Sequence, residues 1–209
     1  MTDLLIDGNS LTIKDVYEVS TGGRKVGLAA EGSRQVGRSR NLVETYVNSG
    51  RVEYGITTGF GKFADVMISK GETAQLQYNL IRSHACGVGR PLSIETARAV
   101  MLLRVNALAK GYSGIKESTL NTLIEMLNKD VIPVIPSKGS LGASGDLAPL
   151  AHMALVLIGE GEACYKEKRM PGKDAMGKAG ITPVKLDSKE GLALINGTPV
   201  MTAIGALTV

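Results

Sequence analysis

Four clusters of residues have the types and spacing to do chemistry. The first is the run Lys138-Gly139-Ser140-Leu141-Gly142-Ala143-Ser144-Gly145-Asp146-Leu147-Ala148-Pro149-Leu150. Small residues at Gly142, Ala143 and Gly145 let the chain fold tightly enough to press the Gly145 amide nitrogen onto the Ala143 carbonyl carbon. Closing that ring with loss of water turns Ser144 into an exocyclic methylidene, an electrophile that no ordinary side chain supplies. A plainer reading competes: a glycine-rich turn before a helix, with Asp146 as its N-cap and Pro149 tolerated in the first turn.

The second cluster, Tyr54-Gly55-Ile56-Thr57-Thr58-Gly59-Phe60-Gly61, reads in isolation as a mobile glycine-rich loop. A phosphate loop is excluded, because Gly55 and Gly61 enclose five residues instead of four and Phe63 stands where Ser or Thr is required. The third, Asn79-Leu80-Ile81-Arg82-Ser83-His84-Ala85-Cys86-Gly87-Val88-Gly89, places His84 at a helix end, where residue type alone suggests a cap or a surface position. The fourth, Leu194-Ile195-Asn196-Gly197-Thr198, contains an asparagine suited to an N-cap. His152 reads as a structural residue of an apolar helix.

Taken in this order, the four motifs resemble those of the aromatic amino acid ammonia-lyases, the enzymes that use 4-methylideneimidazol-5-one (MIO). The longest match is Gly142 to Leu150. The resemblance implies that Ala143, Ser144 and Gly145 form the MIO ring autocatalytically, with Asp146 in its surroundings. It implies Tyr54 as the catalytic base on a lid-like loop, Asn196 as an amide donor to a ring oxygen, and Ser83, His84 and Gly142 at the substrate. Ser-His at 83–84 is similar to the histidine-specific members, and an imidazole can hydrogen-bond another imidazole. The phenylalanine and tyrosine members carry Phe-Leu or His-Leu there. Where the histidine-specific members have Gln after the Thr, this chain has Pro199.

The implied activity is elimination of ammonia from L-histidine to give trans-urocanate, the first step of histidine degradation, in a homotetramer whose sites draw on several subunits. Tyrosine or phenylalanine lyases and aminomutases are alternatives within the family. A non-catalytic folding or assembly module is the alternative outside it.

The elements that must position these residues are mainly helical. Thr12-Ile13-Lys14-Asp15 resembles a capping box with Asp in place of Glu, after a short strand at Asp3 to Asp7. Helices are expected from about Glu31 to Asn48 and, from apolar residues at three- and four-residue spacing, at Thr73 to His84, Ser93 to Lys110 and Glu117 to Lys129, while Leu147 to Ile158 is expected as a helix apolar all round and therefore buried. Val131 to Pro136 is extended, since proline disfavours helix in the residue before it. Ala163 to Lys173 suggests a hairpin or loop on the surface, and Thr198 to Val209 an apolar helix without a cap. The expected fold is mainly α, the N-terminal domain of the fumarase/aspartase-like helical ammonia-lyase fold with a few short strands. Residues 1–209 form its single MIO-bearing domain, truncated before a long helical bundle and inactive alone.

Composition narrows the remaining classes. With 24 Lys and Arg against 20 Asp and Glu, no Trp and two Phe, the chain lacks the charge and stacking surface of a nucleic-acid binder. Its densest basic stretch, Arg34 to Arg40, reads as a solvated helix face. Cys86 and Cys164 stand far apart, and His84 and His152 are the sole histidines, so neither a disulfide framework nor a metal site is expected. No apolar run is expected to span a membrane, and the first residues lack a signal peptide's pattern, which predicts a cytoplasmic protein.

Overall fold

The computed structural model of the chain describes residues 3–49, 53, 55, 56, 58 and 70–209. Tyr54, the expected base, lies outside the described residues, as do Thr57, Gly59, Phe60 and Gly61 of its motif.

Helices dominate, and one of them organises the rest. α1 (Ile13–Gly22) starts at the predicted capping box: the Asp15 amide donates to Thr12 Oγ1 at 3.2 Å and the Thr12 amide to Asp15 Oδ2 at 3.0 Å. α2 (Ala30–Ser49), α3 (Lys70–His84), α4 (Ile94–Ala109), α5 (Glu117–Asn128) and α6 (Leu147–Leu157) follow. From Ala97 onward α4 is mostly buried, covered by α1, α2, α5 and later α9. α6 is apolar and packs on α3 and on the later α7 and α8.

The short strands serve as clasps. β1 (Leu4–Ile6) runs parallel to β2 (Val26–Leu28). β3 (Val88–Pro91) pairs antiparallel with β5 (Pro136–Lys138), which draws the chain leaving α3 beside the chain entering the glycine-rich loop. β4 (Ile132–Pro133) pairs with β6 (Glu162–Tyr165), and β6 with β7 (Lys168–Pro171). The expected hairpin at 163–173 is therefore present, but as part of a three-stranded sheet with Ala163 fully buried, not as a free surface loop.

Three short helices complete the chain: α7 (Gly172–Lys178), α8 (Glu190–Ile195) and α9 (Pro199–Thr208). The stretch Glu190–Thr208 is, at 19 residues, long and apolar enough to cross a bilayer, against the sequence expectation. The turn at 196–198 divides it into two helices.

A second departure concerns the basic stretch at 34–40. Arg34 and Arg38 are exposed as expected, but Arg40 is buried. Its guanidinium donates to the carbonyls of Gly114 at 3.3 Å and Ser188 at 3.0 Å, so it ties α2 to the loops before α5 and α8.

Candidate active site

The glycine-rich loop between β5 and α6 is shaped by its backbone. Gly145 has φ +74°, in the left-handed region, and a Cβ there would overlap the Ser140 hydroxyl. Both steric and conformational terms thus demand glycine at 145, and they bring residues 140 and 145 into contact as a tight fold of the loop. The Asp146 amide donates to Ser144 Oγ at 3.3 Å. α6 begins immediately afterwards at Leu147, so its positive end faces the loop.

Ser144 forms one wall of an open cleft of roughly 340 Å³. Gly142 and Ala143 lie beside it, His84 and Asn196 complete the polar rim, and Leu80, Leu147, Leu192 and Ile195 provide apolar surface. Three separate motifs therefore converge on Ser144. Ser83, the neighbour of His84, does not line this cleft: it is exposed, and its hydroxyl donates to the Leu80 carbonyl at 2.9 Å. Ser144 also borders a second cavity beneath the loop, together with Ser140, Gly145, Asp146, Val200 and Met201.

His84 sits at the C-terminal end of α3 with Nδ1 2.8 Å from the Leu80 carbonyl. A carbonyl can only accept, so Nδ1 carries the proton and Nε2 of the neutral ring is an acceptor. The turn that follows is fixed by His152 of α6, whose Nε2 accepts from the Gly87 amide at 3.0 Å. Burial holds the His152 pKa below the ordinary histidine value, which keeps this acceptor neutral. The structural role expected of His152 is thereby given a partner.

The Asn196 turn is held differently. Asp146 makes no side-chain bond to α6; the expected N-cap of its own helix instead caps α9, accepting from the Val200 amide at 2.7 Å and the Met201 amide at 3.2 Å. Burial raises the Asp146 pKa, opposed by those two amides and by the Arg104 guanidinium. Asn196 likewise is not the N-cap of α9. It follows α8 as that helix's C-cap, and Thr198 occupies the N-cap position without a side-chain bond.

On the far side of the turn, Arg104 of α4 donates to the carbonyls of Asn196, at 2.9 Å, and Ala193. Burial pulls its pKa down to about 10, so it stays charged at neutral pH. Nothing in the sequence motifs singled out Arg104. An arginine inside an otherwise apolar helical stretch was the available signal.

The fold is the mainly α fold of the N-terminal regions of ammonia-lyases and aminomutases. Residues 11–209 match the aromatic amino acid lyase family, and the chain belongs to it. It is 64% identical over its whole length to the histidine ammonia-lyase of Alkaliphilus oremlandii, covering 41% of that protein. Among solved structures it is similar to an ergothionase from Treponema denticola in complex with desmethyl-ergothioneine sulfonic acid, with a TM-score of 0.94 and 32% identity over 99% of this chain and 41% of that one. The histidine ammonia-lyase of Trypanosoma cruzi superimposes with a TM-score of 0.91 and 37% identity, over 99% of this chain and 40% of the other. The chain thus spans about 41% of the length of the curated relatives it matches.

Proposed function

We propose that the protein containing this chain is a histidine ammonia-lyase, which converts L-histidine to trans-urocanate and ammonia. The observation that carries the reading is the cleft that sets Ser144 between His84 and Asn196. The 64% identity to a histidine ammonia-lyase over the full chain supports it.

Eliminating ammonia requires a better leaving group than ammonium and a base for a weakly acidic proton. The residues of the loop are compatible with MIO: Gly145 adopts a left-handed conformation and packs on Ser140, so Ala143-Ser144-Gly145 lies in a tightly folded, unhindered loop. Once formed, the ring supplies an electrophilic carbon for the substrate amine.

The remaining roles belong to the chain's own groups. His84, with Nδ1–H committed to Leu80, offers Nε2 to an imidazole N–H of the substrate. Asn196 offers its carboxamide to the same face, and the α6 N-terminus favours negative charge on the ring. The leucines and Ile195 exclude water from the other side of the cleft. Gly142 leaves room for substrate and Tyr54 is the base, these roles resting on the family's motifs; the motifs also imply a substrate contact for Ser83, whose side chain stands outside the cleft and is bonded to the Leu80 carbonyl. A phenol of ordinary pKa near 10 is mostly protonated at neutral pH, so the site must lower it or deprotonate it transiently.

The reading carries with it a cytoplasmic homotetramer without a metal, in which residues 1–209 are the MIO-bearing domain and are inactive alone.

The test uses the full-length enzyme with L-histidine, L-phenylalanine and L-tyrosine separately. Urocanate from histidine, and a peptide spanning residues 142–146 lighter by two waters, are expected. Ser144→Ala should abolish that mass loss and lower kcat by about 10³-fold or more. Preferential turnover of phenylalanine or tyrosine, a β-amino acid product, or an active Ser144→Ala would overturn the reading.

A further inference from the structure

The geometry points to Arg104 as a positioning residue for the reaction: its guanidinium, admitted by the bare backbone of Gly197, sets the Asn196 turn at the rim of the cleft. The inference rests on the ammonia-lyase reading.

α8 has only six residues, too few to persist by its own hydrogen bonds, so its ends must be held from outside. At the N-terminal end, Gln77 Oε1 of α3 accepts from the Gly191 amide at 2.9 Å. At the C-terminal end the forked guanidinium of Arg104 reaches two carbonyls, those of Ala193 and Asn196, which otherwise would be orphaned. One of these is the carbonyl of Asn196 itself. The direction in which that peptide faces, and with it the placement of Asn196, which lines the cleft and also the space beside Arg104, is therefore set by Arg104.

Gly197 shows that the two are fitted to each other. Its φ is not in the left-handed region, so backbone conformation does not require glycine there. A Cβ at 197 would instead overlap the Arg104 guanidinium. The charge occupies the space that a side chain at 197 would take.

The cost of this arrangement argues against a merely structural purpose. Arg104 is 2% exposed, in a helix whose neighbouring positions are aliphatic. Arg98, the other buried arginine of α4, has a carboxylate partner in Asp130, whereas Arg104 makes no ion pair among the described residues. An aliphatic residue at 104 would be easier to bury. Arg104 does not line the cleft, so it acts through the turn, not on the substrate.

The experiment is a double-mutant cycle in the full-length enzyme, with Arg104→Lys, Asn196→Ala and both together. Lysine keeps the charge but cannot hold two carbonyls in one plane. Kinetics are taken with whichever amino acid the wild-type enzyme converts, so a wrong substrate overturns the functional reading and leaves the cycle readable. Arg104→Lys is expected to lower kcat by about 10- to 100-fold with KM changed less than about 3-fold, and the two-water mass loss at 142–146 retained. In the Asn196→Ala background the same substitution should cost less than about 2-fold. Gly197→Ala, which retains the arginine, should reproduce the kcat loss and guards against a Lys variant that fails to fold. Effects that multiply across the cycle, or a fall in thermal stability with kcat unchanged, would overturn the inference.

Discussion

The two sides of the cleft are built from opposite kinds of chemistry. The His84 side is tied by neutral hydrogen bonds: Nδ1 to the Leu80 carbonyl and the Gly87 amide to His152 Nε2. The Asn196 side is tied by two buried charges, Arg104 at the C-terminal end of α8 and Asp146 at the N-terminal end of α9. Each charge stands where the helix dipole favours its sign. The neutral side depends on a histidine, His152, whose protonation would remove the acceptor, while on the charged side Arg104 keeps its charge across the neutral range. The two sides should therefore fail under different conditions.

The substitution with the largest expected effect strikes the loop that both sides face. Gly145→Ala adds a left-handed conformation that alanine resists to an overlap with the Ser140 hydroxyl, and a loss of about 3 kcal/mol in stability is expected. Chemical denaturation of the full-length enzyme measures it, and the peptide covering 142–146 should remain unmodified. Ser140→Gly in the same molecule removes the overlap but not the backbone strain, so partial recovery would apportion the two. Recovery to the wild-type value would show that φ contributes little.

Asp146→Ala comes next and tests the charged side alone. The amides of Val200 and Met201 lose their acceptor, for about 1–3 kcal/mol. Because burial raises the Asp146 pKa, its own contribution is fully present below the ordinary carboxylate value and diminishes as pH rises through the folded value. The stability lost on substitution should thus be largest at acid pH and shrink as pH rises through the folded value, the opposite trend to that of a group whose pKa is lowered. A loss that instead grew as pH rose would erase the distinction between the two sides.

Much of this arrangement was legible in the sequence where the cause is local. The capping box at Thr12 and the apolar periodicity of α3 to α5 each depend on residues within a turn or two of one another. The three motifs around Ser144 stood out through their resemblance to those of the ammonia-lyases, residue type alone suggesting a turn and caps, and the structure brings His84, Gly142, Ala143 and Asn196 to its cleft. What the sequence hid is long-range. Asp146 looks like the cap of the helix that follows it, yet its partners are 54 and 55 positions away. Arg104 serves a carbonyl 92 positions away, and Arg40, read as part of a solvated face, serves one 148 positions away. α8 is too short for periodicity to reveal, and β2 needs β1 beside it to exist as a strand.

The smallest expected effect belongs to the neutral side, and its pH dependence identifies it. His152 has a depressed pKa in the folded chain, so the unfolded chain binds its proton more readily. Its contribution is then fully present above the ordinary histidine pKa of about 6.5 and is lost as pH falls through the lower folded value. His152→Gln keeps an acceptor for the Gly87 amide without a group that titrates in this range. At pH 8 it should cost about 1 kcal/mol or less, the worth of one neutral hydrogen bond with altered geometry. Between pH 7 and 5 the gap between wild type and variant should narrow, because only the wild type loses this contribution. Parallel stability curves over that interval would mean that the Gly87 turn is held by the β3 to β5 pairing without help from the imidazole.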